Sequence, residues 1–291
     1  DGMIMLEFTA GRVAVLIVTG LVAGIGGGML GIGGSVIFLP ILGRVFPDAS
    51  YNVFAAAALI CNVFVGMGGA IGHYRNRRVI VSVVKRIIPL GIVAAIAGVL
   101  AANTLGRHGL DKVLWGVFGA VVCFMVYNNV RKLFGRGHPA ALDAGDDLAS
   151  LRVTLPRVSA VAVPTGFLAG MLGIGGGTYS VPGQQIFLDM PQKNAIANSA
   201  ATMVVFCSIA AVVKNLTVSL PDGMTHWAPI HLAALLVPSA LVGAYIGGHL
   251  THKLPDRLVR ALFTAFLAWT AYECVFSKSG LSTMVAAWFG A

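Results

Sequence analysis

A glycine-rich motif that occurs twice is the feature of this chain best suited to chemistry. The stretch Met29–Gly34 (Met-Leu-Gly-Ile-Gly-Gly) returns 142 residues later as Met171–Gly176, and Pro40 and Pro182 follow the two copies. Glycine lets the backbone turn sharply and lets a ligand approach the main chain closely. In an apolar chain, matching Gly/Pro interruptions in two halves indicate a transport site built from broken helices.

The chemistry expected at such a break is anion binding. An interrupted membrane helix has N–H groups that lipid cannot satisfy, so the break must face protein or a water-filled cavity. A new helix that begins just after the break points its positive dipole end and its unpaired N–H groups into that cavity. We therefore predict a site for a small oxyanion at the two breaks, with these residues as binding groups: Gly33, Gly34, Ser35, Gly175, Gly176, Gly177 and Thr178.

The glycines have two other interpretations. The pattern Gly26-x-Gly28-x-x-Gly31 matches a dinucleotide fingerprint, but that fold needs a preceding strand within a βαβ unit, whereas an apolar spanning block precedes the pattern here. Small residues four apart also let membrane helices approach each other. We assign Gly24, Gly28, Gly166 and Gly170 to such packing, and the glycines of the breaks to the cavity.

Polar residues near the breaks are further candidates for ligand contact. Asn52 and Asn194 occupy matching places in the two copies, and Asn198 and Ser199 follow Asn194 on the same predicted helix. The alternative for these residues is hydrogen bonding between helices.

Two ionisable residues complete the candidate set. Glu273 is an acidic residue inside an apolar block and is considered for ion coupling, since charges within a membrane are costly. Arg75 is considered for anion entry, besides its role in topology.

The composition predicts which elements hold these residues. Of 291 residues, 57% are hydrophobic and 11% are charged, against roughly 25% charged in soluble domains. Eight apolar blocks approach the ~20 residues of a spanning helix: Val13–Leu30, Tyr51–Gly72, Ile87–Thr104, Val113–Val130, Val158–Leu172, Asn194–Val213, Trp227–Gly248 and Leu258–Phe276. Ser35–Phe46 and Thr178–Leu188 are too short to span and are predicted to be re-entrant arms.

The predicted fold is an all-α integral membrane protein made of two homologous halves. Residues 1–133 form the first half, residues 134–157 a polar cytoplasmic linker, and residues 158–291 the second half. Each half has one glycine-broken helix with its short arm and three further spanning helices. If each arm returns to the face from which its helix came, the two halves are inverted.

The net charge of +9 indicates topology rather than a nucleic-acid partner, because the basic residues lie between apolar blocks without interleaved aromatics. The loop from His73 to Arg86 and the linker are rich in Lys and Arg, which predicts that both are cytoplasmic. No signal peptide is expected before Val13. Neither half has a Gly-Lys-Ser/Thr motif, so no ATP-binding unit is expected. The sequence predicts no metal site and no cofactor.

The doubled motif, its following proline and the sequence His73-Tyr74-Arg75 resemble the TauE/SafE sulfite exporter family over nearly the whole chain. The resemblance implies export of sulfite or an organosulfonate across the bacterial inner membrane by a multi-pass protein. His73-Tyr74-Arg75 has no counterpart in the second half, and the first copy has Ser35 where the second has Gly177.

Three classes of function are distinguished. The first is a secondary transporter of a small sulfur-containing anion that works by alternating access, and the second is a passive anion channel on the same scaffold. The third, a membrane-embedded enzyme, requires a nucleophile with a base or a metal cluster, and neither occurs at recognisable spacing. The sequence leaves the anion, the driving ion and the oligomeric state open.

Overall fold

The computed structural model describes residues 8–133, 153–218 and 227–276, and these residues form ten α-helices. The first half contains α1 (Ala10–Leu30), α2 (Ser35–Val45), α3 (Tyr51–Arg75), α4 (Val81–Arg107) and α5 (Asp111–Leu133). The second half contains α6 (Leu155–Leu172), α7 (Gly177–Phe187), α8 (Gln192–Thr217), α9 (Ala228–Lys253) and α10 (Asp256–Phe276). No strand occurs among the described residues, so the all-α prediction is confirmed.

Seven of the described helices are long and apolar enough to cross a membrane, namely α1, α3, α4, α5, α6, α8 and α9. Their lengths of 18 to 27 residues match the roughly 20 residues that the hydrocarbon core requires. Seven of the eight predicted spanning blocks are therefore confirmed. The eighth, Leu258–Phe276, lies in α10, which has 21 residues but is not among the seven.

Both glycine motifs interrupt a helix, as predicted. The helix α1 ends at Gly31 (φ 65°) and α6 ends at Gly173 (φ 71°), and both glycines are in the left-handed conformation that commonly closes a helix. After a short loop, α2 and α7 begin, and each has 11 residues. At about 1.5 Å per residue they are too short to span a membrane, so the prediction of two short arms is confirmed in position and length.

A proline lies inside each short helix and removes one backbone hydrogen bond. Pro40 leaves the carbonyl of Val36, four residues earlier, without its intrahelical donor. The hydroxyl of Thr270 in α10 donates to this carbonyl at 3.0 Å. The last helix therefore compensates for the proline in α2.

The packing of the helices follows the repeat, because each main contact between the halves has an equivalent when the first half is replaced by the second. The helix α1 packs against α9, and α6 packs against α4, while α3 packs against α8 and α5 against α10. A Cβ on Gly24 or Gly28 would collide with the backbone of Ala240 or Ala244 in α9. Gly166 and Gly170 face Gly91 and Ala95 of α4 in the same way. The packing role predicted for these four glycines is confirmed.

The division into halves remains a prediction. Most of the predicted linker, residues 134–152, lies outside the described residues, and α6 begins at Leu155, inside the predicted linker range. The inverted orientation of the halves also remains a prediction.

Candidate functional site

The two breaks meet at the contact between α3 and α8. A Cβ on Gly33 would lie 2.6 Å from Asn62 Oδ1 and 3.1 Å from Met203 Sδ. A Cβ on Gly175 would lie 2.6 Å from the same sulfur and 3.2 Å from Asn62 Nδ2. One asparagine from α3 and one methionine from α8 therefore contact both loops, which are 142 residues apart in the chain. The loops also touch each other, since a Cβ on Gly177 would collide with the Gly31 carbonyl.

Asn62 connects the two loops through hydrogen bonds. Its Oδ1 accepts from the Gly34 N–H at 2.9 Å, and its Nδ2 donates to the Ser35 hydroxyl and, at 2.9 Å, to the Gly173 carbonyl. The side chain is fully buried. The Gly34 N–H group, which the sequence predicts to bind an anion, thus donates to the side-chain oxygen of Asn62 instead.

Sequence reasoning missed Asn62, although a signal was present. An amide in the middle of an apolar spanning block is costly unless it is paired, and this alone singles out Asn62. Its counterpart 142 residues later is Val204, which has no polar group. The two glycine motifs are therefore copies, but the residue that caps the first one is present only once.

The start of α7 differs from the start of α2. The Thr178 side chain is 1% exposed, and its Oγ1 has no hydrogen-bond partner among the described residues. Buried polar atoms are paired in the large majority of cases, so each exception calls for an explanation. The N–H groups of Gly177 and Thr178 lie in the first turn of α7, where helix geometry supplies no acceptor.

A small pocket lies at this helix start. Its cavity volume is about 30 Å³, which is room for roughly one or two water molecules. The lining residues include Gly177 and Thr178 from α7 and Asn128 and Asn129 from the far end of α5. The Nδ2 of Asn128 is likewise buried without a partner among the described residues. Two residues from separate helices, each with a buried polar atom that lacks a partner within the described part of the chain, therefore line one cavity.

The lining of this pocket mixes apolar and polar residues and is uncharged. Besides the groups above it consists of Leu30, Ile32, Val181, Pro182, Gln185, Gln192 and Ile196, with no acidic or basic side chain. A hydroxyl, a carboxamide and the positive end of α7 provide donors without a buried cation. Such a set can hold a small anion and also release it.

The predicted polar residues of α8 bind protein groups. The Ser199 hydroxyl donates to the Gly31 carbonyl at 2.7 Å, which ties α8 to the first break. Asn198 donates to Gln184 Oε1 at 3.1 Å and accepts from the Ile80 N–H at 2.7 Å.

Asn194 donates to the Arg78 carbonyl at 3.0 Å. These bonds join α8 to α7 and to the loop after α3, so the residues Asn194, Asn198 and Ser199 hold the frame of the site in this conformation.

Asn52 lies at the other end of the α3–α8 pair, in a cluster that sequence reasoning did not recognise. Its Oδ1 accepts a hydrogen bond from Lys214 Nζ, and its Nδ2 donates to Asp111 Oδ1 at 3.1 Å. The Lys214 side chain is fully buried. Lys214 is one residue beyond the predicted block Asn194–Val213, and Asp111 precedes the block that starts at Val113. Both residues therefore lie just outside the predicted spanning blocks.

The two ionisable candidates lie away from the pocket or outside the described side chains. Arg75 is exposed at the end of α3 and donates to the Tyr245 hydroxyl at 2.9 Å. Near it, His73 is buried between His252, at 3.0 Å, and the Gly28 carbonyl, at 3.0 Å. Glu273 belongs to α10, but its side chain lies outside the described residues.

The geometry defines a class: an all-helical, multi-pass membrane protein with two glycine-broken helices that meet at the centre of the bundle. A model of the family described as "Sulfite exporter TauE/SafE" matches residues 16–273. The chain belongs to the TauE/SafE family, and the resemblance seen in the motifs is confirmed.

Several similar proteins are named as transporters. The chain is 30% identical over 277 residues to the probable membrane transporter protein MamO of Magnetospirillum gryphiswaldense, covering 87% of this chain and 43% of MamO. It is 23% identical over 280 residues to the probable membrane transporter protein YunE of Bacillus subtilis, covering 90% of this chain and 98% of YunE.

A shorter similarity reaches a plant protein. The sulfite exporter TauE/SafE family protein 5 of Arabidopsis thaliana is 37% identical over 111 residues, which are 37% of this chain and 23% of that protein. The chain thus spans less than half of MamO and almost all of YunE. No solved structure matches this chain.

Proposed function

We propose that this protein is a secondary transporter that exports a small sulfur-containing anion, sulfite or an organosulfonate, across the bacterial inner membrane by alternating access. The observation that carries the proposal is the pocket at the start of α7, where Thr178 Oγ1 and Asn128 Nδ2 are buried without partners among the described residues. Unpaired donors at the positive end of a helix suit an oxyanion.

The family supports the transport class of this proposal. MamO and YunE are named as probable membrane transporters, and the Arabidopsis relative is named as a sulfite exporter family protein.

The proposed site uses the second break more than the first. The anion contacts main-chain N–H groups at Gly177 and Thr178, the Thr178 hydroxyl and the Asn128 amide. Other predicted residues support the anion indirectly, through the hydrogen bonds and packing described above. They are Gly33, Gly34, Ser35, Gly175 and Gly176 at the two breaks, and Asn194, Asn198 and Ser199 in α8.

The proposed direction of opening follows from charge. The pocket is lined by Asn129, near the end of α5, and by Gln192, at the start of α8. These helix ends adjoin the linker and the basic loop after α3, which are predicted to be cytoplasmic. The opposite end of α8 is closed around the buried Lys214. We assign this conformation to the state that accepts the anion from the cytoplasm.

A passive channel is the second candidate on the same scaffold. A channel requires a continuous path, whereas the two breaks pack tightly against Asn62 and Met203, and the pocket beside the start of α7 holds only about 30 Å³. This packing favours a carrier.

The binding experiment compares two isosteric substitutions of buried threonines. Thr178 and Thr165 are each 1% exposed with an unpaired hydroxyl, but only Thr178 lines the pocket. Isothermal titration of the purified protein with sulfite, sulfoacetate, sulfate and chloride should show that Thr178→Val weakens anion binding about tenfold. Thr165→Val should bind as the parent does. Equal affinities for both variants, or no anion bound by the parent, would contradict the site.

Reconstitution into liposomes distinguishes the two transport modes. A carrier gives flux that saturates with anion concentration and shows counterflow of labelled anion against an unlabelled gradient. A flux that rises linearly and shows no counterflow would replace the transporter by the channel.

A further inference from the structure

The cluster of Lys214, Asn52 and Asp111 has no part in the pocket, and it joins the two halves. Lys214 lies in α8 of the second half and is fully buried. It donates to Asn52 in α3 of the first half, which in turn donates to Asp111 at the start of α5. Asn52 thus lies between the two charges, and Asp111 and Lys214 interact electrostatically.

Other polar groups surround the cluster. Asn52 Nδ2 also reaches the Ala102 carbonyl at 3.5 Å, and the next residue, Asn103, donates to Thr217 Oγ1 at 2.7 Å. The Asn103 side chain is 4% exposed, and its Oδ1 has no partner among the described residues. The end of α8 is therefore a buried polar contact between α3, α4, α5 and α8.

Stability alone does not explain a buried lysine here. Replacing buried ion pairs with well-packed apolar residues is often neutral or stabilising, so such pairs are weak evidence for a structural role. A buried ionisable residue in a helix long and apolar enough to span a membrane is instead a candidate functional group. The ammonium group of Lys214 donates to the Asn52 side-chain oxygen, and the Asp111 carboxylate lies on the other side of Asn52.

We propose that Lys214 is a second anion-contact residue, at the end of α3 and α8 opposite the pocket, and that Asn52 and Asp111 hold it while that end is closed. The inference rests on the proposed function and extends it to the state from which the anion leaves. Opening this end separates α8 from the starts of α3 and α5, and so it removes the present partners of Lys214. The passing anion then takes the place of the Asn52 oxygen.

Asp111 also accounts for release. When the end closes again, the carboxylate returns to the neighbourhood of Lys214 and competes with the anion for the same positive charge. The two residues therefore have opposite effects on binding, although they belong to one cluster. This difference in sign separates the proposal from a purely structural ion pair, whose two members would have effects of the same sign.

The test uses three variants of the whole protein and two measurements. Isothermal titration with sulfite should show that Lys214→Gln weakens binding about tenfold, that Lys214→Arg restores it, and that Asp111→Asn binds at least as tightly as the parent. In an Asn103→Cys background, both Lys214→Gln and Asp111→Asn should speed labelling by a membrane-impermeant thiol reagent several-fold. The parent without Asn103→Cys gives the background rate.

Asn215→Ala is the matched control, because Asn215 lies next to Lys214 but its amide donates only within α8, to the Ala211 carbonyl at 2.8 Å. It should leave sulfite binding and labelling unchanged. The proposal is overturned if Lys214→Gln binds sulfite as the parent does, or if Lys214→Gln and Asp111→Asn weaken binding equally. If the parent binds no anion, the proposed function fails, and the labelling rates still decide whether Asn52 and Asp111 close this end.

Discussion

The two glycine breaks share a sequence but differ in what their half-helices bind. At the first break, Asn62 accepts the Gly34 N–H and donates to the Ser35 hydroxyl, so the start of α2 is capped by the protein. At the second, Thr178 at the start of α7 and Asn128 in α5 each have a buried polar atom without a partner in the part of the chain that the structure describes. The helix break is thus present in both copies, whereas the asparagine that caps the first break has no counterpart in the second. Under the proposed function, this difference makes the first break structural and leaves the second to bind the anion.

This comparison is tested most strongly by removing the cap. Asn62→Ala leaves the Gly34 N–H and the Gly173 carbonyl buried without their partner, at roughly 1–3 kcal/mol for each group. We expect a loss of several kcal/mol in the free energy of unfolding, measured by denaturation in detergent. The control is Val204→Ala at the matching place in the second half, which removes only two methyl groups from a half-buried side chain.

A loss for Asn62→Ala no larger than that for Val204→Ala would show that the first break does not depend on its cap.

The next largest effect is expected at the second loop itself. Gly175 has φ 73°, and a Cβ there would lie 2.6 Å from Met203 Sδ. The left-handed conformation alone costs a residue with a Cβ about 1–2 kcal/mol. Gly175→Ala should therefore lower the thermal midpoint and weaken anion binding, because the loop precedes α7.

Gly26→Ala is the matched substitution within the same motif region. Gly26 is helical, and its Cβ would meet only Ile37 Cδ1 at 3.7 Å, an ordinary contact. This variant should be as stable as the parent or up to about 1 kcal/mol more stable. A decrease similar to that of Gly175→Ala would indicate that any added methyl group disturbs the breaks, whatever the backbone conformation.

The smallest expected effect sharpens the comparison between the two hydroxyl groups. Ser35→Ala removes the acceptor of an Asn62 hydrogen bond and should cost about 1 kcal/mol of stability. Its effect on anion affinity in titration should be smaller than that of Thr178→Val, because Ser35 does not line the pocket. Equal losses of affinity for the two variants would return the first break to the binding site.

The sequence predicted the breaks and their arms well, because glycine and proline act locally. The predicted arm Ser35–Phe46 is one residue longer than α2 at its end, and α7 begins and ends one residue before the predicted arm Thr178–Leu188. The packing glycines were also predictable, since their spacing sets one face of a helix.

The partners of polar side chains were not predictable, because they depend on tertiary contacts between distant segments. Asn62 bonds Gly173, which is 111 residues away, and Lys214 bonds Asn52, which is 162 residues away. Asn128 lies near the end of a spanning block, and only the fold shows that it lines the same pocket as Thr178. A sequence indicates that such groups need partners, but the choice of partner is made by the fold.

The bonds of Asn62 to backbone atoms of both halves also set the geometry of any rocking motion. A rotation that keeps these bonds has its axis close to the amide, and displacement then grows with distance from it. Asn52 is ten residues along α3 from Asn62, about 15 Å at 1.5 Å per residue. A rotation of about 10° shifts it by roughly 2.6 Å, enough to separate a donor and an acceptor that normally lie about 3 Å apart. The contacts of Asn62 can thus stay in place while the end of α3 at Asn52 moves away from its partners.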